Sequence, residues 1–435
     1  MNSIYYEVRE SFQQLILEVL SILPKYIQNK GSVPTREIIR VTLYPNGDYT
    51  EKPHEIYDLA FLVIRDIYLL ESYKHCLQIV SENKSLRPHN CSYSVVLSSF
   101  VEDYLKGVNP ETITFDQRKF DSIFEEYISA LHSETFESVN ICPLIGFESD
   151  IDIITLSEGL SIRKITPDEL NEIWHFVSSF DLETIDFKRR LACTKYVIEH
   201  NYSKIKGSFS YPDLDLIPIG ILALRLLKSG NFWSNRRYEK LLLPWKSAGY
   251  NSIVDFDNPF SNSYKYFLSR EEIADLKRIY IMVKKFYENA TTQKDNSVTM
   301  AISWFNKYFY EFNTEHRFIF LMFLMETLCS DGGSEIQFKL SNRISLIIGK
   351  DDKEMISIID DVKELYKQRS KIVHGDVLNI DEKYVIKAEE FSRKLIKNFI
   401  LFLSYGYTKK TVIKLVNDAF ISKSSRDKLD KIVRS

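Results

Sequence analysis

The sequence predicts a mainly α-helical protein, with a C-terminal all-helical bundle preceded by an α+β N-terminal region. Three observations carry this prediction. Long segments at both ends repeat apolar residues at spacings of three and four, the period of one helix face. Between them lie short β-rich runs separated by turn residues. From Ser269 onward the periodic segments are helical and are bounded by capping residues or glycine. The divisions expected are a helical region over 1–138, a mixed α/β region over 139–265 and a helical bundle over 266–435.

In the first region, "ESFQQLILEVLSILPKYI", "EIYDLAFLVIRDIYLLESYKHCLQIV" and "FDSIFEEYISALH" carry the helical period. "REIIRVTLYPNGDYT" breaks it. A β-rich run there reaches Asn46-Gly47, a pair that accepts the positive φ of a tight hairpin turn. In the middle region, "DIDIITLSEGLSIRKITPDEL" predicts two strands joined at Glu158-Gly159. A helix follows, capped by Thr166 with Pro167 at its first position. "LACTKYVIEHNY" reads as another strand, and "DLIPIGILALRLLKSG" as a buried helix stopped by Gly230.

In the last region, Ser269 and Glu272 have the S-x-x-E spacing in which two side chains satisfy the free amides of a helix start. That helix runs to about Tyr287. "ATTQKDNS" is a polar connection to "VTMAISWFNKYFY" and "EHRFIFLMFLMETLCS". Ser334 and Gln337, after the turn "DGGS", are expected to form a second capping box. "EIQFKLSNRISLII" ends at Gly349. "DDKEMISIIDDVKELYKQRSKIVHG" and "YVIKAEEFSRKLIKNFILFLSYG" complete an expected six-helix bundle. The tail holds eight basic residues from Lys409 to Arg434, interrupted by Asp418, Asp427 and Asp430. It reads as a solvated helix face or as a contact for an RNA backbone.

Composition narrows the function classes. The chain has 435 residues, 44% of them hydrophobic, and a formal net charge of -3. That fits a folded chain of two or three domains and not a polycation that coats nucleic acid. The five cysteines are scattered and form no CxxC, so a reducing cytoplasm is expected, without disulfides. "FIFLMFLM" is far shorter than the roughly 20 residues a membrane span needs, and no membrane partner is expected. The histidines form no HExxH, and no nucleotide-binding glycine loop opens a helix. No metal or cofactor is expected.

One charge breaks the pattern. In the helix from Asp352, the apolar residues Met355, Ile358, Ile359, Val362, Leu365 and Tyr366 define one face. Continued by the same count, that face receives Arg369, then Ile372 and Val373. A buried charge needs partners or a function. His374 lies five residues beyond, about 140° away on a regular helix. Gly375 follows and is expected to stop the helix, and an unwound or tightened last turn would bring His374 towards Arg369. Arginine grips phosphate oxygens with two parallel N–H groups. Imidazole, with an unperturbed pKa of about 6.5, exchanges protons at neutral pH. RNA carries its own nucleophile, the 2′-hydroxyl. An arginine and a histidine therefore suit transesterification of a phosphodiester, and two copies of the pair in a dimer make a fuller site. Read from the residues alone, Arg369 is equally a structural arginine in an ion pair with Asp360, Asp361 or Glu364 from a neighbour. Glu326 reads first as a structural carboxylate, with Arg343 on the adjacent helix as its partner.

"RSKIVH" fits the R-x4-6-H motif of HEPN domains. The wider block, with "METL", "SEIQFKLSNRISLIIG" and "ELYKQRSKIVHGD" in order, resembles the Apea-like HEPN family of bacterial anti-phage defence proteins. The resemblance spans about Ser269 to Tyr407, and more loosely "ICPLIGFESDIDIITLSEGLSIRKITPDEL". It implies a homodimeric, metal-independent endoribonuclease that cleaves RNA, with tRNA a candidate, in abortive infection set off by a phage-derived trigger. Arg369 and His374 would be the catalytic pair. Ser370 and Glu326 would support them, Ser370 standing where the family commonly has Asn, Asp or His. Two other classes stay open. One is an inactive dimerisation or RNA-binding module, and the other is the regulatory partner of a separate effector.

Overall fold

The computed structural model describes residues 3–30, 35–43, 49–57, 59–64, 66–86, 93–170, 173, 191–205, 214–234, 236–242, 251–254, 265–289, 295–375 and 379–434. It is mainly helical with a small antiparallel sheet, as the sequence predicts. Among the described residues, five α-helices occupy the first region: α1 (Ser3–Lys30), α2 (Leu59–Val63), α3 (Glu71–Glu82), α4 (Tyr93–Leu105) and α5 (Gln117–His132). They enclose a core of their own, where Phe12, Phe100, Phe120, Phe124 and Tyr127 meet ring against ring. Between α1 and α2, β1 (Thr35–Leu43) and β2 (Tyr49–Tyr57) pair antiparallel as the predicted hairpin. Its Asn46-Gly47 turn lies outside the described residues.

The middle region holds more strand than expected. A six-stranded antiparallel sheet has the order β5-β6-β7-β3-β8-β9. Its strands are β3 (Thr135–Pro143), β5 (Ile153–Ser157), β6 (Leu160–Lys164), β7 (Tyr196–Ile205), β8 (Arg236–Leu242) and β9 (Asn251–Val254). β5 and β6 turn at Glu158-Gly159 as predicted. Gly159 has φ +75°, and a Cβ there would stand 2.6 Å from the carbonyl oxygen of Asn201. Thr166 and Glu169 cap the helical turn at Pro167 reciprocally. In "LACTKYVIEHNY" the strand begins only at Tyr196, and Leu191 and Ala192 are helical.

Strand alternation explains why the sheet is buried twice over. Tyr196 and Ile198 join one core and Val197 the opposite one. α6 (Leu216–Leu227) covers the first face, capped by Asp215, whose carboxylate accepts from the Ile217 amide at 3.2 Å. The same apolar core continues without a break from α6 into the C-terminal helices. A short parallel pair, β4 (Phe147–Ser149) with β10 (Tyr266–Leu268), brings the chain to Ser269. There the predicted Ser269–Glu272 capping box forms.

Eight α-helices follow among the described residues, where six were expected: α7 (Ile273–Asn289), α8 (Ser297–Tyr310), α9 (Thr314–Cys329), α10 (Ile336–Ile348), α11 (Asp352–His374), α12 (Glu382–Ser404), α13 (Lys409–Ala419) and α14 (Lys423–Val433). The additional pair is the basic tail. It buries Val412, Leu415, Val416, Leu429 and Ile432 in the common core, so its cations occupy the outer side of packed helices. The expected Ser334–Gln337 capping box does not form. The chain enters α10 through Glu335 in the left-handed region, φ 61°, with no side-chain cap. Gln337 instead donates from Nε2 to the Lys363 carbonyl at 3.1 Å. Among the described residues no helix is long and apolar enough to cross a membrane.

Candidate functional site

The site is built on α9 and α11. Asp351 caps α11 by accepting from the Glu354 amide at 2.8 Å. Met355, Ile358, Val362 and Leu365 are buried, as their spacing predicts. One turn further the stripe receives Arg369, whose side chain keeps 24% of its exposure. Ile372 packs partly on the core, but Val373 is 54% exposed and leaves the face it was counted on. The reason is position, since the last turn of α11 reaches beyond the apolar surface that covers its middle.

Within one chain, the acidic residues nearest in sequence are not partners of Arg369. Asp361 accepts Lys387 from α12 at 3.1 Å, Asp360 pairs with Lys363 at 3.6 Å, and Glu364 accepts from Gln368 at 2.6 Å. These contacts lie on the flanks of α11 and leave its inner face to the arginine. There the partner is Glu326 of α9, with Oε1 3.3 Å from Nε of Arg369. Glu326 follows the buried Met325 and precedes the buried Leu328, so its carboxylate emerges at the edge of an apolar helix. Burial pushes this carboxyl above its ordinary range, and the positive charge of Arg369 pulls it partly back.

Arg343 does not compete for Glu326. It grips Asp331 with two bonds of 2.9 and 3.1 Å, and donates to the Cys329 carbonyl at 2.9 Å and to Asn417 at 3.0 Å. That cluster, built on the buried Arg343, fixes the end of α9 three residues beyond Glu326.

The 3.3 Å approach of Glu326 to Arg369 is an ion pair without a hydrogen bond. Oε1 and Nε are both buried and both lack a partner. The terminal guanidinium nitrogens donate to no acceptor among the described residues and are not sealed from solvent. The Tyr366 ring lies 5.9 Å from the guanidinium carbon, a contact the sequence reading missed although the i, i+3 spacing signals it. Ser370, next along, is half-buried and makes no hydrogen bond among the described residues.

α11 remains α-helical through His374. Gly375 then stops it with φ 80°, its amide donating to Ile372 and Lys371. The glycine stop is as predicted, but the turn before it does not unwind. His374 is exposed and stays about 140° around the axis from Arg369. No contact joins the two side chains within one chain. The structure therefore brings together Arg369, Glu326 and Tyr366, and holds His374 at the outer end of the same helix.

No family model, no curated protein and no solved structure matches the chain.

Proposed function

We propose that this protein is a metal-independent endoribonuclease that cleaves RNA by attack of the 2′-hydroxyl on the neighbouring phosphodiester. The observation that supports it is the placement of Arg369. Its guanidinium stands on an otherwise apolar stripe, with its terminal nitrogens free of acceptors among the described residues. Such a group binds the non-bridging oxygens of a phosphate and offsets the charge that grows on the phosphorane. The 2′-oxygen loses its proton and bonds to phosphorus. The P–O5′ bond breaks, and O5′ takes up a proton. The fragments end in a 2′,3′-cyclic phosphate and a 5′-hydroxyl. Proton transfer falls to His374.

Because one chain does not bring His374 to Arg369, the working enzyme in this reading is a homodimer whose two α11 helices share a site. In the cell it acts in the cytoplasm as an anti-phage effector, damaging RNA, with tRNA a candidate, when a phage-derived trigger releases it. The N-terminal helices and the sheet sense that trigger, restrain the nuclease or select the substrate. The test is a comparison of RNA cleavage by the wild type and by an Arg369→Ala, His374→Ala double variant, and equal rates would refute the reading.

The separation of Arg369 from His374 favours a second reading, in which the bundle holds RNA or a second chain without turnover, or regulates a separate effector. That reading predicts salt-dependent RNA binding without cleavage, or a stable hetero-complex.

A further inference from the structure

We infer that Glu326 is the general base of this site, taking the proton from the 2′-hydroxyl while His374 acts as the general acid. The inference rests on the ribonuclease reading above.

The Arg369–Glu326 pair differs from the molecule's other buried ion pairs. Among the described residues, the other arginine–carboxylate pairs with both side chains less than a quarter exposed are hydrogen-bonded. Arg163 bonds both Glu169 and Glu199, and Arg393 bonds Glu389. Arg369 and Glu326 are the exception. They lie 3.3 Å apart, yet the two facing atoms make no hydrogen bond and are shut from water. Ion pairs buried without hydrogen bonds do little for stability, because the desolvation of both charges is not offset. A pair tuned only to hold α9 against α11 would have the geometry that Arg163 and Arg393 show. Unsatisfied buried groups of this kind call for another account, and a site awaiting substrate supplies one.

The placement suits the chemistry. A phosphate on the open nitrogens of Arg369 puts the ribose of the same nucleotide beside Glu326, since Glu326 touches the other edge of that guanidinium. Burial keeps the carboxyl above its ordinary range, which makes it a better proton acceptor near neutrality than a solvated carboxylate. Arg369 is the charged group that acts on it. Transesterification needs one group to accept a proton and another to give one. Glu326, half-buried beside a cation, and His374, exposed at a helix end, are two different groups in two different surroundings. The proton of the 2′-hydroxyl passes to Glu326, O2′ bonds to phosphorus, the P–O5′ bond breaks, and O5′ takes the proton of the His374 imidazolium. Solvent then returns both groups to their starting states.

The experiment measures cleavage of total RNA and of tRNA in EDTA by the full-length wild type and by Glu326→Gln, Glu326→Asp and Arg369→Ala, across a range of pH. Gln keeps the shape of Glu326 but loses its proton acceptance and its negative charge, whereas Asp keeps both. The Gln variant is expected to bind RNA like the wild type and to cleave it about 10²–10⁴-fold more slowly. The wild-type rate should fall with acid through a limb above the ordinary carboxylate range, and that limb should vanish in the Gln variant. The Asp variant should keep it. If Gln fails to fold, as thermal unfolding would show, the Asp profile decides, and loss of the limb there overturns the assignment. A Gln variant that cleaves at the wild-type rate with the same limb makes Glu326 only a holder of Arg369. A wild type as inert as Arg369→Ala removes the ribonuclease reading itself, and this assignment with it.

Discussion

Arg393 donates from Nε to the backbone carbonyl of Arg225, 2.8 Å away, and so ties α12 of the bundle to α6 of the sheet region. Arg225 returns the contact. Its side chain crosses to α8, donates to Asn306 at 3.0 Å and lies 4.3 Å from the centre of the Phe309 ring. Arg393 also bonds the buried carboxylate of Glu389. Arg393→Met leaves that carboxylate in the core without its charged partner, held only by the Tyr308 hydroxyl at 3.2 Å. The expected cost is about 3–5 kcal/mol, read from the urea midpoint. Sheet and bundle should unfold together, because they share one apolar core. A loss below about 1 kcal/mol would show that the stitch carries little weight.

Acid should weaken the end of α9. Asp331 beside Arg343 is held at about 2, below its ordinary 3.8. A carboxyl depressed in the folded state stabilises the fold above its unfolded value, and that contribution is lost as pH falls through the folded value. Asp331 is 43% exposed, so screening limits the effect to about 1 kcal/mol. Wild type and Asp331→Asn should differ by that amount at pH 7, and their stabilities should converge between about pH 4 and 2. A gap that stays constant across that window would contradict the assignment.

The stop after His374 is testable through Gly375. A Cβ there meets nothing within 4 Å, so the penalty for Ala is backbone strain alone, at φ +80°. Gly375→Ala should cost about 1 kcal/mol in urea unfolding. Gly375→Asn should cost less, because Asn tolerates this region. In the ribonuclease reading the Ala variant also loses activity beyond its stability cost, since the strained residue adjoins His374.

Arg369→Lys separates shape from charge. Lysine keeps the positive charge and loses the planar fork. RNA binding should stay near the wild-type value while cleavage falls about tenfold or more, an effect of roughly 1.4 kcal/mol on the barrier. Equal loss of binding and cleavage would mean that Arg369 only attracts RNA.

Much of this was legible in the sequence because it is local. The apolar stripe of α11, the Gly375 stop, the Ser269–Glu272 cap and the Glu158-Gly159 turn depend on residues a few positions apart. The failures have a different origin. Ser334 and Gln337 have the right spacing for a capping box, but Glu335 takes a left-handed conformation that spacing does not encode. Glu326 had two arginines to choose from, Arg343 and Arg369. The choice is settled by how α9, α10 and α11 lie across one another, which no periodicity specifies. The continuous core between sheet and bundle is hidden for the same reason. A buried residue announces that it is covered, not by what.

The most direct test of the central claim is the chemistry of the ends the protein makes. Purified protein is incubated with total RNA and with tRNA in EDTA, beside His374→Ala, and fragment termini are mapped. The account predicts cutting by the wild type alone, leaving 2′,3′-cyclic phosphate and 5′-hydroxyl ends. Cutting by both proteins alike, or ends that carry a 5′-phosphate, would contradict it.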